Sequence, residues 1–170
     1  VAWALSENKP MAVIGAGSKA LLGRPANLDT TMNLADLTGV VDYEPSELVL
    51  TALPGTPLDE INTCLQEQNQ ELAFEPPDLG PLLGTDPDGA TLGGTIACNL
   101  SGPRRVRVGA ARDHFLGMHA VNGRAESFKA GGKVVKNVTG YDLCKLIAGS
   151  YGTLAILTEV TVKVLPRAEK

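Results

Sequence analysis

Apolar and polar residues alternate in TLAILTEVTVKVLP, where Val160, Val162 and Val164 are separated by Thr161 and Lys163. A period of two predicts a β-strand with one face wet. HFLGMHAV and RAESFKA are two further runs of this kind, and they flank Asn122 and Gly123, the dipeptide suited to a type I′ hairpin. Earlier, GVVDYEP and ELVLTALP read as strands, Met11 to Ile14 as a short apolar one, and ELAF from Glu71 as another. The period changes after residue 56: Leu58, Ile61 and Leu65 form one apolar stripe against Asn62, Gln66 and Glu67, which predicts a helix. Thr56 is placed to cap it, with Pro57 at its first position and Asp59 completing a T-x-x-D capping box. YDLCKLIAGSYG predicts a brief helix through Leu143, Leu146 and Ile147, with Gly149 closing it, and VAWALSENKP reads as a helix end stopped by Pro10.

Strands and helices mixed in this order define an α+β chain. Proline and glycine punctuate PGTP at 54–57 and, more heavily, EPPDLGPLLGTDPDG at 75–89. The second stretch predicts a connection dividing a first lobe, about 1–75, from a second, about 91–166.

Two glycine-rich turns carry the candidate chemistry. The strand at 11–14 feeds directly into Gly15, Ala16, Gly17, Ser18, Lys19 and Ala20, and bare backbone after a strand lets N–H groups approach a phosphate. The letters satisfy G-x-G-x-x-G/A, yet Gly23 and Pro25 limit any helix starting near Ser18 to under two turns. Asp36, the acidic residue about 20 positions on, lies in NLADLTG, which does not read as a strand end. The pattern therefore favours a phosphate loop over a Rossmann unit. In ATLGGTIACNLSGPRR, Gly93 and Gly94 precede the apolar segment Ile96 to Leu100, so that a flat ring or a phosphate could lie against the main chain.

Composition narrows the function classes. With 44% hydrophobic and 20% charged residues among 170, the chain can bury one core or two small ones. A net charge of −4 and an aromatic content of 4% speak against a nucleic-acid surface, although RRVR at 104–107 is a small basic cluster. No run is long and apolar enough for a membrane span, and no leader sequence is read at the N-terminus, so a cytoplasmic location is expected. Cys64, Cys98 and Cys144 are widely spaced, without C-x-x-C spacing, and read as reduced packing residues; no metal site is expected. His114, beside Asp113, and His119 are expected on a strand, with packing or surface roles.

The motif order resembles the FAD-binding domain of the vanillyl-alcohol oxidase type, the PCMH fold. Within that family it is most similar to the smaller flavin-binding subunits of bacterial glycolate oxidases. The resemblance is carried by GAGSKALLGRP, AFEPPDLG, ATLGGTIACNLSGPRR, GAARDHFLG, GGKVVKNVTGYDLCKL and AGSYGTLAILTEVTVKVLP, in order over nearly the whole chain. It implies a two-lobed domain, a small βαβ-like N-terminal lobe beside a larger, mostly antiparallel sheet with helices, holding an extended FAD. It implies that Gly15, Ala16, Gly17, Ser18 and Lys19 wrap the pyrophosphate and that Thr91, Leu92, Gly93, Gly94 and Ala97 approach the ribityl chain and isoalloxazine edge. Ser101 and Gly102 are implied near the phosphates, and Gly152 and Ile156 on the adenine side; Lys136 is a further candidate contact. Relatives often bind flavin covalently through a first-loop histidine; Ser18 stands there, implying a dissociable FAD. The chain departs from the family pattern at Tyr151 and at Ala155, which replaces a glycine.

The implied activity is that of the FAD-binding portion of a glycolate oxidase or dehydrogenase, accepting or relaying electrons as glycolate, a small 2-hydroxyacid, becomes glyoxylate. The implied partners are a second flavin subunit and an iron-sulfur subunit, peripheral to the inner membrane, passing electrons to a quinone. In that family the substrate groups come largely from a further domain that these 170 residues do not include. No catalytic base is therefore nominated, and the chain alone is expected not to turn over glycolate. Two other readings stay open: the FAD domain of another 2-hydroxyacid or sugar-alcohol dehydrogenase, and a non-catalytic module of the same fold.

Overall fold

Val49–Ala52 is buried at all four positions, and its apolar, β-favouring residues place it inside a sheet. The computed structural model describes residues 1–24, 28–87, 89–133 and 140–168; Lys136 and residues 137–139 of the KNVTGYD motif lie outside them. The described elements run in chain order as follows. Helix α1 (Ala2–Ser6) precedes strands β1 (Ala12–Ile14), β2 (Thr31–Asn33), β3 (Val40–Glu44) and β4 (Val49–Ala52). Helix α2 (Leu58–Gln66), the two-residue β5 (Gln70–Glu71) and helices α3 (Gly80–Leu83), α4 (Leu92–Cys98), α5 (Arg105–Val108) and α6 (Ala111–His114) follow. The chain closes with β6 (Phe115–Asn122), β7 (Ser127–Gly131), α7 (Leu143–Ile147), β8 (Ala155–Lys163) and β9 (Leu165–Pro166).

The main sheet has the order β3-β4-β8-β6-β7 with every described pairing antiparallel. β4 pairs directly with β8, Leu50 opposite Val162 and Ala52 opposite Val160, so early and late strands share one sheet. Leu50, Ile61, Leu65, Phe74, Ile96, Phe115, Val160 and Val162 join a single hydrophobic cluster. A separate small sheet pairs β1 with β2 in parallel, and the connection between them has no helix longer than a turn among its described residues. Gly55 attaches this sheet to the rest. Its N–H donates to Leu37 O at 2.8 Å, and a Cβ there would come within 2.2 Å of Leu34 O.

The apolar stripe of α2 points inward as expected: Leu58, Ile61 and Leu65 are buried. Thr56, however, does not cap it. Its hydroxyl donates to Leu53 O at 2.7 Å and accepts from Gly39 N–H at 2.9 Å, holding two turns together. Strand β8 also differs from a half-wet strand. It is the middle strand of five, and on the face expected to be wet Thr161 is buried with its hydroxyl 2.9 Å from that of Thr51, while Glu159 and Lys163 are half-buried. The hairpin forms at the expected place with another turn. Asn122 Oδ1 accepts from the N–H groups of Arg124 and Glu126 at 2.8 and 3.1 Å, and Ala125 takes the left-handed position at φ 63°. Of ELAF only Glu71 is strand, in β5 with Gln70, while Leu72, Ala73 and Phe74 turn into the core.

Candidate functional site

The segment after β1 leaves its backbone donors free. Among the described residues, no acceptor takes the N–H groups of Gly15, Ala16, Gly17, Ser18 or Lys19. A single turn follows, with Ala20 N–H donating to Gly17 O at 2.9 Å, and Gly17 sits at φ 76°, a conformation that suits glycine. Five successive amides with such a left-handed link form a concave, electropositive cradle for an anion. Ser18 is buried in it, its Oγ accepting from Lys19 Nζ at 3.2 Å. Burial pushes the Lys19 ammonium below the usual lysine value, while the Cys98 thiol and the Asp78 carboxyl pull it back up.

The second glycine turn meets the first. ATLGGTIAC forms helix α4, which the sequence reading left without a helix, and Thr91 caps it by accepting from Gly94 N–H at 3.3 Å. A Cβ on Gly15 would stand 2.7 Å from Thr91 Oγ1, and one on Gly94 3.7 Å from Lys19 Nζ. The two adjacent glycines serve different purposes. Gly93 packs on the chain itself: its N–H donates to Pro54 O at 2.8 Å, and a Cβ there would lie 2.5 Å from Pro54 Cβ. Gly94 keeps the α4 side of the site bare.

Between these turns lies a cavity of about 210 Å³. Of the expected residues, Gly15, Ala16, Gly17, Ser18, Lys19, Thr91, Gly93, Gly94, Ala97, Gly152 and Ile156 line it. Three do not. Leu92 is fully buried in the core. Ser101 Oγ accepts from Ala111 N–H at 2.8 Å, and Gly102 N–H donates to Phe74 O at 2.8 Å, with room for a Cβ only 2.7 Å from Glu75. Lining residues the sequence reading missed include Leu34, Pro54, Cys98 and Ile147, which arrive from four separate segments. Ser150 and Tyr151 were legible only as departures or neighbours in the GSYGTL run.

Neither histidine takes part. His114 is buried against Phe74, its ring centroid 5.3 Å away, with Nε2 2.9 Å from Val108 O; His119 lies 3.8 Å from Glu159 on the sheet. Lys19 is the one cationic side chain among the described lining residues, which hold no carboxylate or imidazole. Burial pushes the Cys98 thiol up, opposed by Lys19. No group of three or more potential metal ligands occurs among the described residues. Nor is any described helix long and apolar enough to cross a membrane.

A mixed fold with this amide cradle, a bare helical turn facing it and a cavity between them defines a dinucleotide-binding α+β domain. Comparison with known proteins gives the family. The model of the FAD binding domain matches residues 1–131, and this chain belongs to that family. It is 45% identical over 164 residues to glycolate oxidase subunit GlcE of Escherichia coli strain K12, covering 96% of this chain and 45% of the relative. It is 29% identical to glycolate oxidase subunit GlcD of Bacillus subtilis strain 168, covering 94% and 33%. A solved alkyldihydroxyacetonephosphate synthase shares the fold at a TM-score of 0.74 and 22% identity, covering 96% of this chain and 28% of that one. The chain therefore spans less than half the length of these relatives.

The residues present fit the family's cofactor. The five amides and Lys19 suit a diphosphate, and Ser150 Oγ is buried at the cavity with no partner among the described residues. Apolar Ile14, Ala97, Ile147 and Ile156 suit ring systems.

Proposed function

We propose that this chain is the FAD-holding part of a glycolate oxidase subunit acting in the oxidation of a small 2-hydroxyacid. The observation that carries the reading is the run of free amides from Gly15 to Lys19 facing Thr91 and Gly94 across one cavity, in a chain 45% identical to GlcE. In this reading the amides of Gly15 to Lys19 bind the diphosphate and the Lys19 ammonium offsets its charge. Gly94 and Ala97 let a ring system lie along α4, and Gly152 and Ile156 border the other end. When bound, the flavin supplies a two-electron acceptor for the substrate hydride. The chain's own residues hold and orient it and keep its phosphates out of bulk water.

Attachment is non-covalent in this reading, because Ser18 stands in the loop and no histidine lines the cavity among the described residues. The lining also lacks a carboxylate or imidazole to take the hydroxyl proton, so the base and the substrate clamp belong to other parts of the enzyme. GlcE and GlcD are both named as subunits, which supports assembly with a second flavin subunit. An iron-sulfur subunit and cytoplasmic placement at the inner membrane belong to the same reading. The test is an absorption spectrum of the purified protein incubated with FAD and desalted, followed by acid precipitation. The reading predicts a yellow protein whose colour stays in the supernatant; a colourless protein or a yellow precipitate would contradict it.

A further inference from the structure

Tyr151 combines a strained backbone with a side chain that has no partner among the described residues. It sits at φ 54°, left-handed, in a loop where Gly149 at φ 83° and Gly152 at φ 75° share that conformation. An L-residue other than glycine pays for this geometry in strain, and it persists only where the surroundings impose it. Here α4 imposes it: Tyr151 N–H donates to Ala97 O at 2.8 Å and Gly149 N–H to Ile96 O at 3.2 Å. Glycine would meet the same backbone demand without strain, so the fold does not call for tyrosine.

Tyr151 is among the residues that line the cavity with Gly15 to Lys19, Gly94 and Ala97. It is 59% exposed at the wall of a mostly apolar cavity. Among the described residues it makes no side-chain hydrogen bond and no ring contact. Beside it, Ser150 Oγ is buried without a partner at the same cavity. Strain without a packing return, at a binding cavity, points to a ligand.

We infer that Tyr151 is a stacking platform for an aromatic heterocycle of the nucleotide held in this cavity, with the Ser150 hydroxyl beside it as a polar contact to the same ligand. The inference rests on the reading of the cavity as an FAD site and assigns one ring system of that ligand to one side chain. A face of tyrosine attracts any flat heterocycle by burial and stacking. The adenine and the isoalloxazine are the two sources of such a ring.

The test compares the unsubstituted protein with Tyr151→Gly and Tyr151→Phe, titrated with FAD, ADP and FMN, and melts each without nucleotide. Tyr151→Gly is expected to bind FAD about tenfold more weakly, the size of one lost base stack. It is expected to melt no lower than the unsubstituted protein, because backbone strain is relieved. Tyr151→Phe keeps the ring and is expected to bind FAD unchanged. A matching loss with ADP assigns the ring to adenine, and one with FMN to the isoalloxazine; either supports the platform. Equal FAD affinity in all three proteins overturns the inference and leaves the cofactor site standing, as does an equal loss in Tyr151→Phe and Tyr151→Gly. An unsubstituted protein that binds none of the nucleotides overturns the site itself, and the platform with it.

Discussion

Gly15→Ala tests the meeting of the two turns. The backbone at Gly15 is not left-handed, so alanine is conformationally allowed and its cost is steric. The added Cβ would lie 2.7 Å from Thr91 Oγ1 and 3.4 Å from Thr91 Cγ2. Thr91 is buried and β-branched, so it cannot step aside cheaply, and turning its hydroxyl away gives up the cap on Gly94 N–H. Overpacking of this kind costs about 1–3 kcal/mol, of which the lost cap accounts for roughly 1. For a domain of this size that lowers Tm by roughly 2–12 °C. Thr91→Ala removes both colliding atoms and leaves Thr91 Cβ at 3.6 Å, an ordinary contact. A double-mutant cycle by thermal or urea denaturation should therefore show Gly15→Ala costing less than about 0.5 kcal/mol in the Thr91→Ala background. An equal cost in both backgrounds would refute the meeting of the turns.

Other consequences can be checked separately. Thr51→Val should lose about 1–3 kcal/mol by leaving the buried Thr161 hydroxyl unpaired, and Thr51→Val/Thr161→Val should recover most of it; no recovery in urea titrations would count against the pair. Burial holds the Cys144 thiol at about 11, above its usual 9.0, so the unfolded chain ionises first as pH rises. The stability this contributes is present below pH 9.0 and lost towards about 11, and Cys144→Ala should remove that part of the alkaline decline in unfolding free energy. Because burial lowers the Lys19 value from 10.5, FAD affinity should fall as pH climbs towards that value, and Lys19→Gln should bind more weakly with a flatter profile. With no carboxylate or imidazole among the described lining residues, the purified chain should not reduce an acceptor dye with glycolate; measurable turnover would mean that a proton acceptor lies elsewhere on this chain.

What the sequence made legible was local. The α2 stripe, the strands at 40–44 and 49–52, the hairpin position and the free glycine loop all follow from spacing and turn chemistry within a few residues. Helix α4 escaped notice because Gly93 and Gly94 in its first turn and β-branched Thr95 and Ile96 have poor helix propensity; packing against Pro54 and β8 overrides it. The strand order was not legible, because proline-rich spacing marks a loop but says nothing of strand partners: β4 finds β8 more than a hundred residues away. For the same reason Thr161 could not be known to face Thr51. At the site, Gly15 to Lys19 were readable from their letters. Leu34, Pro54 and Ile147 line the cavity only through long-range packing, and Ser101 lies outside its lining, with its Oγ accepting from Ala111 N–H.

In the proposed function the Gly15–Lys19 amides hold a diphosphate. Amide chemical shifts of the isotope-labelled protein, titrated in parallel with ADP and adenosine, test it most directly. The account predicts that the amide signals of Gly15 to Lys19 move with ADP and much less with adenosine. Signals that stay fixed while ADP binds and shifts residues elsewhere would contradict it.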